Sequence, residues 1–91
     1  MDFVITNNIE LSRFETLVNG ESAYLDYHFY NGILALTHTF VPPKDRHQGI
    51  AFALVKFALE YAKAEHLKVI PGCSSVVLYL ELHPEYEVLV A

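Results

Sequence analysis

The sequence predicts an α+β domain in which an antiparallel β-meander precedes a β-α-β-α unit. Two Asn-Gly dipeptides, at residues 19–20 and 31–32, separate segments of alternating polar and apolar residues, which is typical of consecutive β-hairpins. After Pro42-Pro43 the spacing of apolar residues changes to that of a helix. A short apolar segment follows this helix, and the strand-helix-strand order predicts a parallel, right-handed crossover.

The first half of the chain supplies the predicted meander. Residues 3–5 form a short strand candidate, followed by a turn at Asn7-Asn8. The next three predicted strands are RFETLV, AYLDYHFY and ILALTHTFV, and the alternation in the second of them predicts one buried face. Pro42 and Pro43 end the last strand, because proline has no N–H to donate to a sheet.

The second half supplies the β-α-β-α unit. A helix is predicted from Gly49 to about Glu65, because apolar residues recur at helical spacing along one side of this segment. LKVIP is the next strand, and a Pro-Gly step ends it. Ser74 or Ser75 is predicted to cap a second helix that runs to about Leu82. The last segment, HPEYEVLV, is expected to form a turn and a final apolar stretch.

Length, composition and charge limit the class of protein. The chain has 91 residues, 53% of them hydrophobic, which suits one small domain with its own core and excludes disorder of the whole chain. The net charge of −5 argues against broad binding of nucleic acid through its phosphates. A single cysteine, Cys73, excludes an intrachain disulfide. No histidine pair has the spacing of metal ligands, so we predict no metal site.

The N-terminal residues predict neither a leader peptide nor a membrane span. Asp2 and the polar residues 6–8 interrupt the first apolar segment, and no apolar run is long enough to cross a bilayer. We therefore expect a cytoplasmic protein without a membrane partner, and a monomer is the favoured state.

A charged loop before the long helix is the main candidate binding site. In PPKDRHQGIAFALV, Lys44 and Arg46 precede a helix N-terminus, where unpaired N–H groups and a partial positive charge favour anions. Gly49 and Ala51 would let a bulky phosphate approach the backbone. The pattern predicts a pyrophosphate site, although it is neither a Walker loop nor a dinucleotide fingerprint. The alternative is a solvated loop whose charges serve solubility.

The same residues resemble a known superfamily. RHQGIA matches the Arg/Gln-x-x-Gly-x-Gly/Ala signature of the GNAT superfamily of acyl-CoA-dependent N-acyltransferases, and it follows a strand and opens a long helix as it does there. Together with THTFVPP before it, the Pro-x-Cys step and HPEY near the end, essentially the whole chain resembles the small, YjdJ-type branch of GNAT-like proteins. The resemblance implies a single minimal GNAT-like domain over residues 1–91 with a splayed pair of strands.

The resemblance also implies that the chain binds acetyl-CoA (coenzyme A). The pyrophosphate would be held by Arg46, His47, Gln48, Gly49, Ile50 and Ala51, and the pantetheine arm would lie along Thr39, Phe40 and Val41. The sequence departs from the family at His47, where relatives commonly carry glycine, and at Phe40, where several carry an acidic residue. The pair Ser74-Ser75 also replaces a Pro-aromatic step that often follows the cysteine.

Three residues are candidates for the chemistry, and each has a structural alternative. Cys73 lies between a predicted strand and a helix start, a position that favours a nucleophilic thiol, and the resemblance puts the matching cysteine near the thioester. It could equally be a small buried residue. His38 is a candidate general base or a half-buried structural histidine. Tyr79 resembles the tyrosine that often reaches the leaving thiolate in this superfamily, or it packs in the core.

Taken together, these features predict an N-acetyltransferase that moves an acetyl group from acetyl-CoA to an unknown amine. One alternative is a non-catalytic coenzyme A or acyl-CoA binding module, because the chain is shorter than typical GNAT enzymes and lacks the helices that usually shape their acceptor pocket. Another is an interaction domain that recognises acidic partners through Lys44 and Arg46.

Overall fold

A computed structural model describes residues 3–91 as one sheet backed by a layer of helices. The strands are Thr6–Asn8 (β1), Arg13–Val18 (β2), Glu21–Tyr30 (β3), Ile33–Phe40 (β4) and Lys68–Pro71 (β5). The helices are Ile50–Ala64 (α1) and Ser74–Leu82 (α2), and the 3₁₀ segments are Pro43–Asp45 and Pro84–Leu89. Asp2, which entered the leader-peptide argument, lies outside the described residues.

The five strands lie in the sheet in chain order, β1-β2-β3-β4-β5. The first four are antiparallel neighbours, and β5 lies parallel to β4 after the crossover through α1. The predicted α+β fold, a meander followed by a β-α-β-α unit, is therefore confirmed. The long helix is one residue shorter at each end than predicted.

The first strand lies where a turn was predicted. The prediction of a strand at residues 3–5 and a turn at Asn7-Asn8 is wrong, because β1 includes both asparagines and pairs with β2, whereas residues 3–5 are not in the sheet. Asn8 Nδ2 donates to Glu15 Oε2 at 3.2 Å, and the Tyr27 hydroxyl donates to Asn7 Oδ1 at 2.7 Å. These tertiary hydrogen bonds override the local preference of asparagine for turns.

Both helices pack on one face of the sheet, and the core lies between the two layers. The buried sheet residues of this core are Phe14, Val18, Ala23, Leu25, Leu34, Leu36 and Val69. The buried helix residues are Ile50, Leu54, Val55, Ala58, Leu59, Ala62, Val76, Tyr79 and Leu80. Within residues 3–91 no element covers the opposite face, which we call the outer face, and its side chains are exposed or half-buried.

None of the helices in the described part of the chain has the length and apolar character needed to span a membrane.

A one-residue bulge in β4 decides which of its side chains face the helices. Leu36 and His38 lie opposite consecutive residues of β3, so Thr37 is the extra residue. The Thr37 hydroxyl donates to the carbonyl oxygen of Asp26 at 3.2 Å. Because residues directly opposite each other share a face, the bulge leaves Thr39 on the helix side with Leu36 and turns His38 to the outer face.

The strands β4 and β5 separate after four paired positions. β5 pairs with residues 33–36 of β4, whereas the remaining residues of β4, up to Phe40, have no strand partner on that side among the described residues. At the point of separation the Gly72 N–H donates to the Leu36 carbonyl oxygen at 2.7 Å. The splayed pair is therefore present, and we call the space between residues 37–40 and Gly72-Cys73 the gap.

The C-terminal segment contacts both the sheet and the helical layer. Pro84–Leu89 forms the predicted turn as 3₁₀ helix, and Val90 then forms a parallel bridge with Val69 of β5. The Tyr86 hydroxyl donates to Glu60 Oε2 of α1 at 2.6 Å. The end of the chain is thus fastened to α1 and to the edge strand.

Candidate functional site

A cavity of about 500 Å³ opens at the carboxyl end of β4, beside the starts of α1 and α2. Its lining residues are Thr39, Val41, Asp45, Arg46, His47, Gly49, Ile50, Ala51, Phe52 and Ser75. In open α/β sheets, ligands bind outside the carboxyl ends of parallel strands. The position and the volume are those of a ligand site.

The start of α1 presents free N–H groups at this cavity. Gly49 is the N-cap residue, with a φ of 83°, and no side chain of the described residues caps the helix. The first helical hydrogen bond runs from the Ala53 N–H to the Gly49 carbonyl oxygen at 3.0 Å. The N–H groups of Ile50, Ala51 and Phe52 therefore have no acceptor within the helix. Together with the helix dipole they favour an anion.

The two basic residues of the loop before α1 have different surroundings. Lys44 Nζ lies 2.6 Å from Glu21 Oε1, and this hydrogen bond holds the pKa of Lys44 above its usual value. Lys44 therefore contacts the β2–β3 hairpin and does not line the cavity. Arg46 does line it, and its Nε donates to the Val41 carbonyl oxygen at 2.9 Å. Its other guanidinium nitrogens make no hydrogen bond within residues 3–91, so they can meet a ligand.

Asp45 fastens the same loop to the β2–β3 turn. It is only 1% exposed, and Asn19 donates its side-chain amide to Asp45 Oδ1 at 2.9 Å. Asp45 Oδ2 is buried without a hydrogen-bond partner among the described residues. The hydrogen bond from Asn19 thus connects the β2–β3 turn to the loop that carries Arg46 and His47.

Cys73 and Thr39 meet across the gap. Thr39 Oγ1 lies 3.1 Å from Cys73 Sγ, and either atom can be the donor. Cys73 is half-buried, and Thr39 lines the cavity, so the thiol lies directly beside the cavity wall. The N-terminus of α1 and the thiol are therefore found at one opening of the sheet.

The prediction that Ser74 or Ser75 caps α2 is wrong. The N-cap is Cys73, with an extended φ of −135°, and the Val76 and Val77 N–H groups both lie 3.2 Å from its carbonyl oxygen. The hydrogen bond from the Gly72 N–H to β4 keeps the chain extended up to Cys73. The helix therefore begins at Ser74, one residue earlier than a cap at Ser74 would give. Ser75 instead lines the cavity.

Comparison with known proteins agrees with this fold. The sequence profile described as GCN5-related N-acetyl-transferase matches residues 13–89.

The chain belongs to the GCN5-related N-acetyltransferase family.

Its fold is also similar to the NMR solution structure of a GCN5-like protein from Staphylococcus aureus that is provisionally assigned as an N-acetyltransferase. The TM-score is 0.73, with 26% sequence identity over 98% of this chain and 88% of the other. The match is to the family as a whole, and membership of the YjdJ-type branch stays a prediction.

In this GCN5-related protein, most of the residues predicted for the donor site lie together. Those that line the cavity are Thr39, Val41, Arg46, His47, Gly49, Ile50 and Ala51. Gln48 is exposed beside it, and Phe40 lies on the outer face with His38. The geometry therefore separates His38 and Phe40 from Thr39, although all three lie on one strand.

Tyr79 lies behind the cavity wall of this family member. It is 5% exposed, stacks on His83 with ring centroids 4.0 Å apart, and meets the edge of Phe52, a lining residue, at 5.2 Å. Burial raises the pKa of the Tyr79 phenol above its usual value, and the nearby Glu85 and Glu60 charges raise it further. Tyr79 is therefore a neutral phenol within the core, one side chain away from the cavity.

Sequence reasoning missed three residues that line the cavity, namely Asp45, Phe52 and Ser75. Phe52 and Ser75 lie in the first turns of the two helices. Both helix starts were predicted close to the binding loop, so these two residues could have been predicted to line the cavity. Asp45 carried no such signal, because its burial depends on Asn19, which is 26 residues away in the chain.

Proposed function

We propose that this protein is an N-acetyltransferase that transfers the acetyl group of acetyl-CoA to an amine. The observation that carries the proposal is a cavity with free helical N–H groups at one end and the contact between Thr39 and Cys73 beside it. The first feature suits the pyrophosphate of coenzyme A and the second suits the thioester. Membership of the GCN5-related family supports the same assignment.

The pyrophosphate is bound by the start of α1 and by Arg46. The N–H groups of Ile50 and Ala51 point towards the cavity end of the helix, and the Arg46 guanidinium adds a full positive charge. The backbone is left-handed at His47, with a φ of 66°, and again at Gly49, which turns the loop so that Arg46 and the helix start line one space.

The pantetheine arm and the thioester lie along the unpaired end of β4. Backbone N–H and C=O groups that β5 no longer pairs can bind the amides of the arm, because buried peptide groups require partners. Thr39 and Val41 line this path. A backbone N–H of the same stretch supplies the hydrogen bond that stabilises the developing oxyanion.

Transfer then proceeds by direct attack. The neutral amine nitrogen forms a bond with the acetyl carbonyl carbon, and the carbon–sulfur bond breaks. The leaving sulfur takes the proton of the Cys73 thiol, and the resulting Cys73 thiolate takes the proton that the nitrogen loses. Cys73 is half-buried and next to Thr39, which suits a thiol that gives a proton to the leaving sulfur and recovers one afterwards.

The donor assignment is tested by thermal stability. At a hundredfold excess over its dissociation constant, acetyl-CoA should stabilise the fold by about 2.7 kcal/mol. For a domain of this size the melting temperature should rise by roughly 10 °C or more. Adenosine, which lacks the pyrophosphate, should have a much smaller effect.

A matched pair of variants locates the donor on the molecule. Ala51→Glu puts a carboxylate into the cavity from the first turn of α1, where an acidic residue suits the helix dipole, and it should abolish the shift. Ala53→Glu is the control, since Ala53 lies on the same helix but does not line the cavity. No shift in millimolar acetyl-CoA, or equal shifts in the two variants, would contradict the assignment.

A non-catalytic coenzyme A binding module is a second candidate, favoured by the positions of the predicted acid and base groups. His38 lies on the face of β4 opposite Thr39, and Tyr79 lies in the core. Release of free thiol from acetyl-CoA, measured with a panel of amines, separates the two functions. Amine-dependent release supports the transferase, whereas binding without release supports the module.

A further inference from the structure

The outer face carries a cluster of side chains beside the gap, which we call the outer patch: Tyr24, Asp26, His38 and Phe40. The register of β3 and β4 puts Tyr24 opposite Phe40 and Asp26 opposite His38. The ring centroid of Tyr24 lies 5.4 Å from that of Phe40 and 6.4 Å from that of His38. Both helices lie on the other side of the sheet, so within residues 3–91 no element covers these rings.

Within residues 3–91, the outer patch carries one negative charge that forms no ion pair. Arg13 Nε and Glu15 Oε1, on the neighbouring strand β2, form an ion pair at 2.7 Å, and this hydrogen bond lowers the pKa of Glu15. The charges of Arg13 and Glu15 therefore cancel. Asp26 lies opposite both Arg13 and His38 in the register, yet its carboxylate makes no ion pair or side-chain hydrogen bond within residues 3–91. The outer patch is thus complementary to a cation.

One ring of the outer patch, that of Tyr24, already makes a cation–π contact within the protein. The Arg13 guanidinium carbon lies 4.4 Å from the centroid of the Tyr24 ring, within the range of a cation–π contact. Arg13 occupies one face of Tyr24 only. Phe40, half-buried beside Tyr24, meets no cation among the described residues.

The outer patch and the cavity border the same gap from opposite sides. Along the unpaired end of β4, His38 and Phe40 face outwards while Thr39, between them, faces Cys73 and the cavity. A ligand on the outer patch is therefore separated from the thioester position by the thickness of one strand.

We infer that the outer patch binds the acceptor and that the acceptor is a linear alkylammonium, the group that polyamines and lysine side chains share. The inference rests on the proposed function, which supplies the acyl donor on the other side of the gap. Asp26 and the faces of Phe40 and Tyr24 hold the cation at the outer mouth of the gap, and the net charge of −5 attracts it from a distance. An anionic amino acid would be repelled by Asp26.

An NMR titration of the ¹⁵N-labelled full chain, without donor, tests the binding directly. Spermidine and Nα-acetyl-lysine amide are the probes, with neutral hexanol and anionic glutamate as controls at the same concentration. The cations should shift amide signals of residues 24–28 and 36–40, and the controls should not. Shifts by spermidine alone assign a free polyamine, and shifts by the lysine analogue assign a protein lysine.

Three variants locate the site. Asp26→Asn removes the unpaired charge and Tyr24→Leu removes a ring, and each should weaken binding of the cations roughly fivefold or more. Tyr24→Leu keeps the test decisive if Asp26→Asn fails to fold. Glu81→Gln is the matched control, because it removes the same charge from an exposed position on α2, and it should bind as the wild type does.

The change in melting temperature caused by acetyl-CoA is measured on the same samples. A failure of the proposed function can then be distinguished from a failure of the inference about the acceptor. A normal acetyl-CoA shift in Asp26→Asn, with loss of cation binding, supports the inference. Equal affinity of the wild type, Asp26→Asn and Tyr24→Leu for both cations, or signals that shift only outside the outer patch, would overturn it. Absence of the acetyl-CoA shift in the wild type would refute the proposed function, whatever the cations do.

Discussion

From the sequence alone, Cys73 could be either a reactive thiol or a small buried residue. A free cysteine is most often a small buried residue. Cys73 is instead half-buried, contacts the Thr39 hydroxyl at 3.1 Å and begins a helix beside the cavity. These surroundings suit a proton donor to the leaving thiolate, and direct attack by the amine needs no acylated cysteine.

We therefore expect no acetyl-Cys73 to accumulate when the protein is incubated with acetyl-CoA and no acceptor, as measured by intact mass. Cys73→Ala should keep the acetyl-CoA melting shift, and Cys73→Ser, which retains a proton donor, should keep part of the rate. A stable acetyl group on Cys73 that moves to an added amine would show that the cysteine is the nucleophile.

The left-handed residues of the loop show why glycine matters there. The sequence suggested Gly49 for the close approach of a phosphate. A Cβ at Gly49 would meet nothing within 4 Å, so in the protein itself the requirement comes from its φ of 83°. His47 has a φ of 66°, also in the left-handed region that favours glycine, so a histidine at this position is strained.

At the scale of elements, the separation of β4 from β5 creates the site. The bulge at Thr37 follows directly after Leu36, the last residue of β4 that pairs with β5. The alternation of side chains between the two faces of β4 therefore shifts by one residue at the point where β5 separates from it. This coincidence sends Thr39 to the cavity and its neighbours to the outer face.

Gly72 approaches the backbone of Leu36 closely at the point where the strands separate, and its replacement should be costly. A Cβ at Gly72 would lie 2.6 Å from the Leu36 carbonyl oxygen, so Gly72→Ala must displace backbone and should lower the free energy of unfolding by about 1–3 kcal/mol. It should also reduce the acetyl-CoA melting shift, because the gap changes shape. Urea denaturation measures the first effect.

Gly32→Ala is the control for this substitution. A Cβ at Gly32 meets nothing within 4 Å, so its cost comes only from a φ of 74°, about 1 kcal/mol, and the donor site should be unaffected. If Gly72→Ala kept the full acetyl-CoA shift and lost no more stability than Gly32→Ala, the close approach would not shape the site.

At the scale of the whole molecule, one helical layer covers one face of the sheet, and within residues 3–91 the other face is left uncovered. The C-terminal segment completes the covered side, since Tyr86 is buried against α1 and donates its hydroxyl proton to Glu60. This hydrogen bond, followed by burial, raises the pKa of Tyr86 far above its usual value. The folded state therefore holds the neutral phenol more strongly than the unfolded chain does.

Tyr86→Phe should lower the stability by about 0.5–1.5 kcal/mol near neutral pH, because Glu60 is exposed and remains solvated. The contribution of a group with a raised pKa is complete below its unfolded pKa, about 10, and is lost as the pH rises above it. The difference in melting temperature between wild type and Tyr86→Phe should thus shrink above pH ~10. Tyr30→Phe, at an exposed tyrosine, should show no such difference at any pH.

The order and type of the elements could be predicted because their signals are local. Asn-Gly turns, the Pro-Pro stop and helical periodicity each act within a few residues, and no distant contact reverses them, except at β1. The anion end of the candidate site was predictable for the same reason, since Arg46, Gly49 and Ala51 are contiguous in the chain.

Only the tertiary structure decided the rest of the site. The face of His38 depends on a bulge that alternation alone does not reveal, the anchor of Asp45 depends on Asn19 across the hairpin, and the cap at Cys73 depends on a hydrogen bond to β4. The outer patch likewise exists because registers bring Asp26 and Phe40 beside one another from separate strands. Each of these joins residues that are distant in sequence, so its free energy appears only when the sheet has formed.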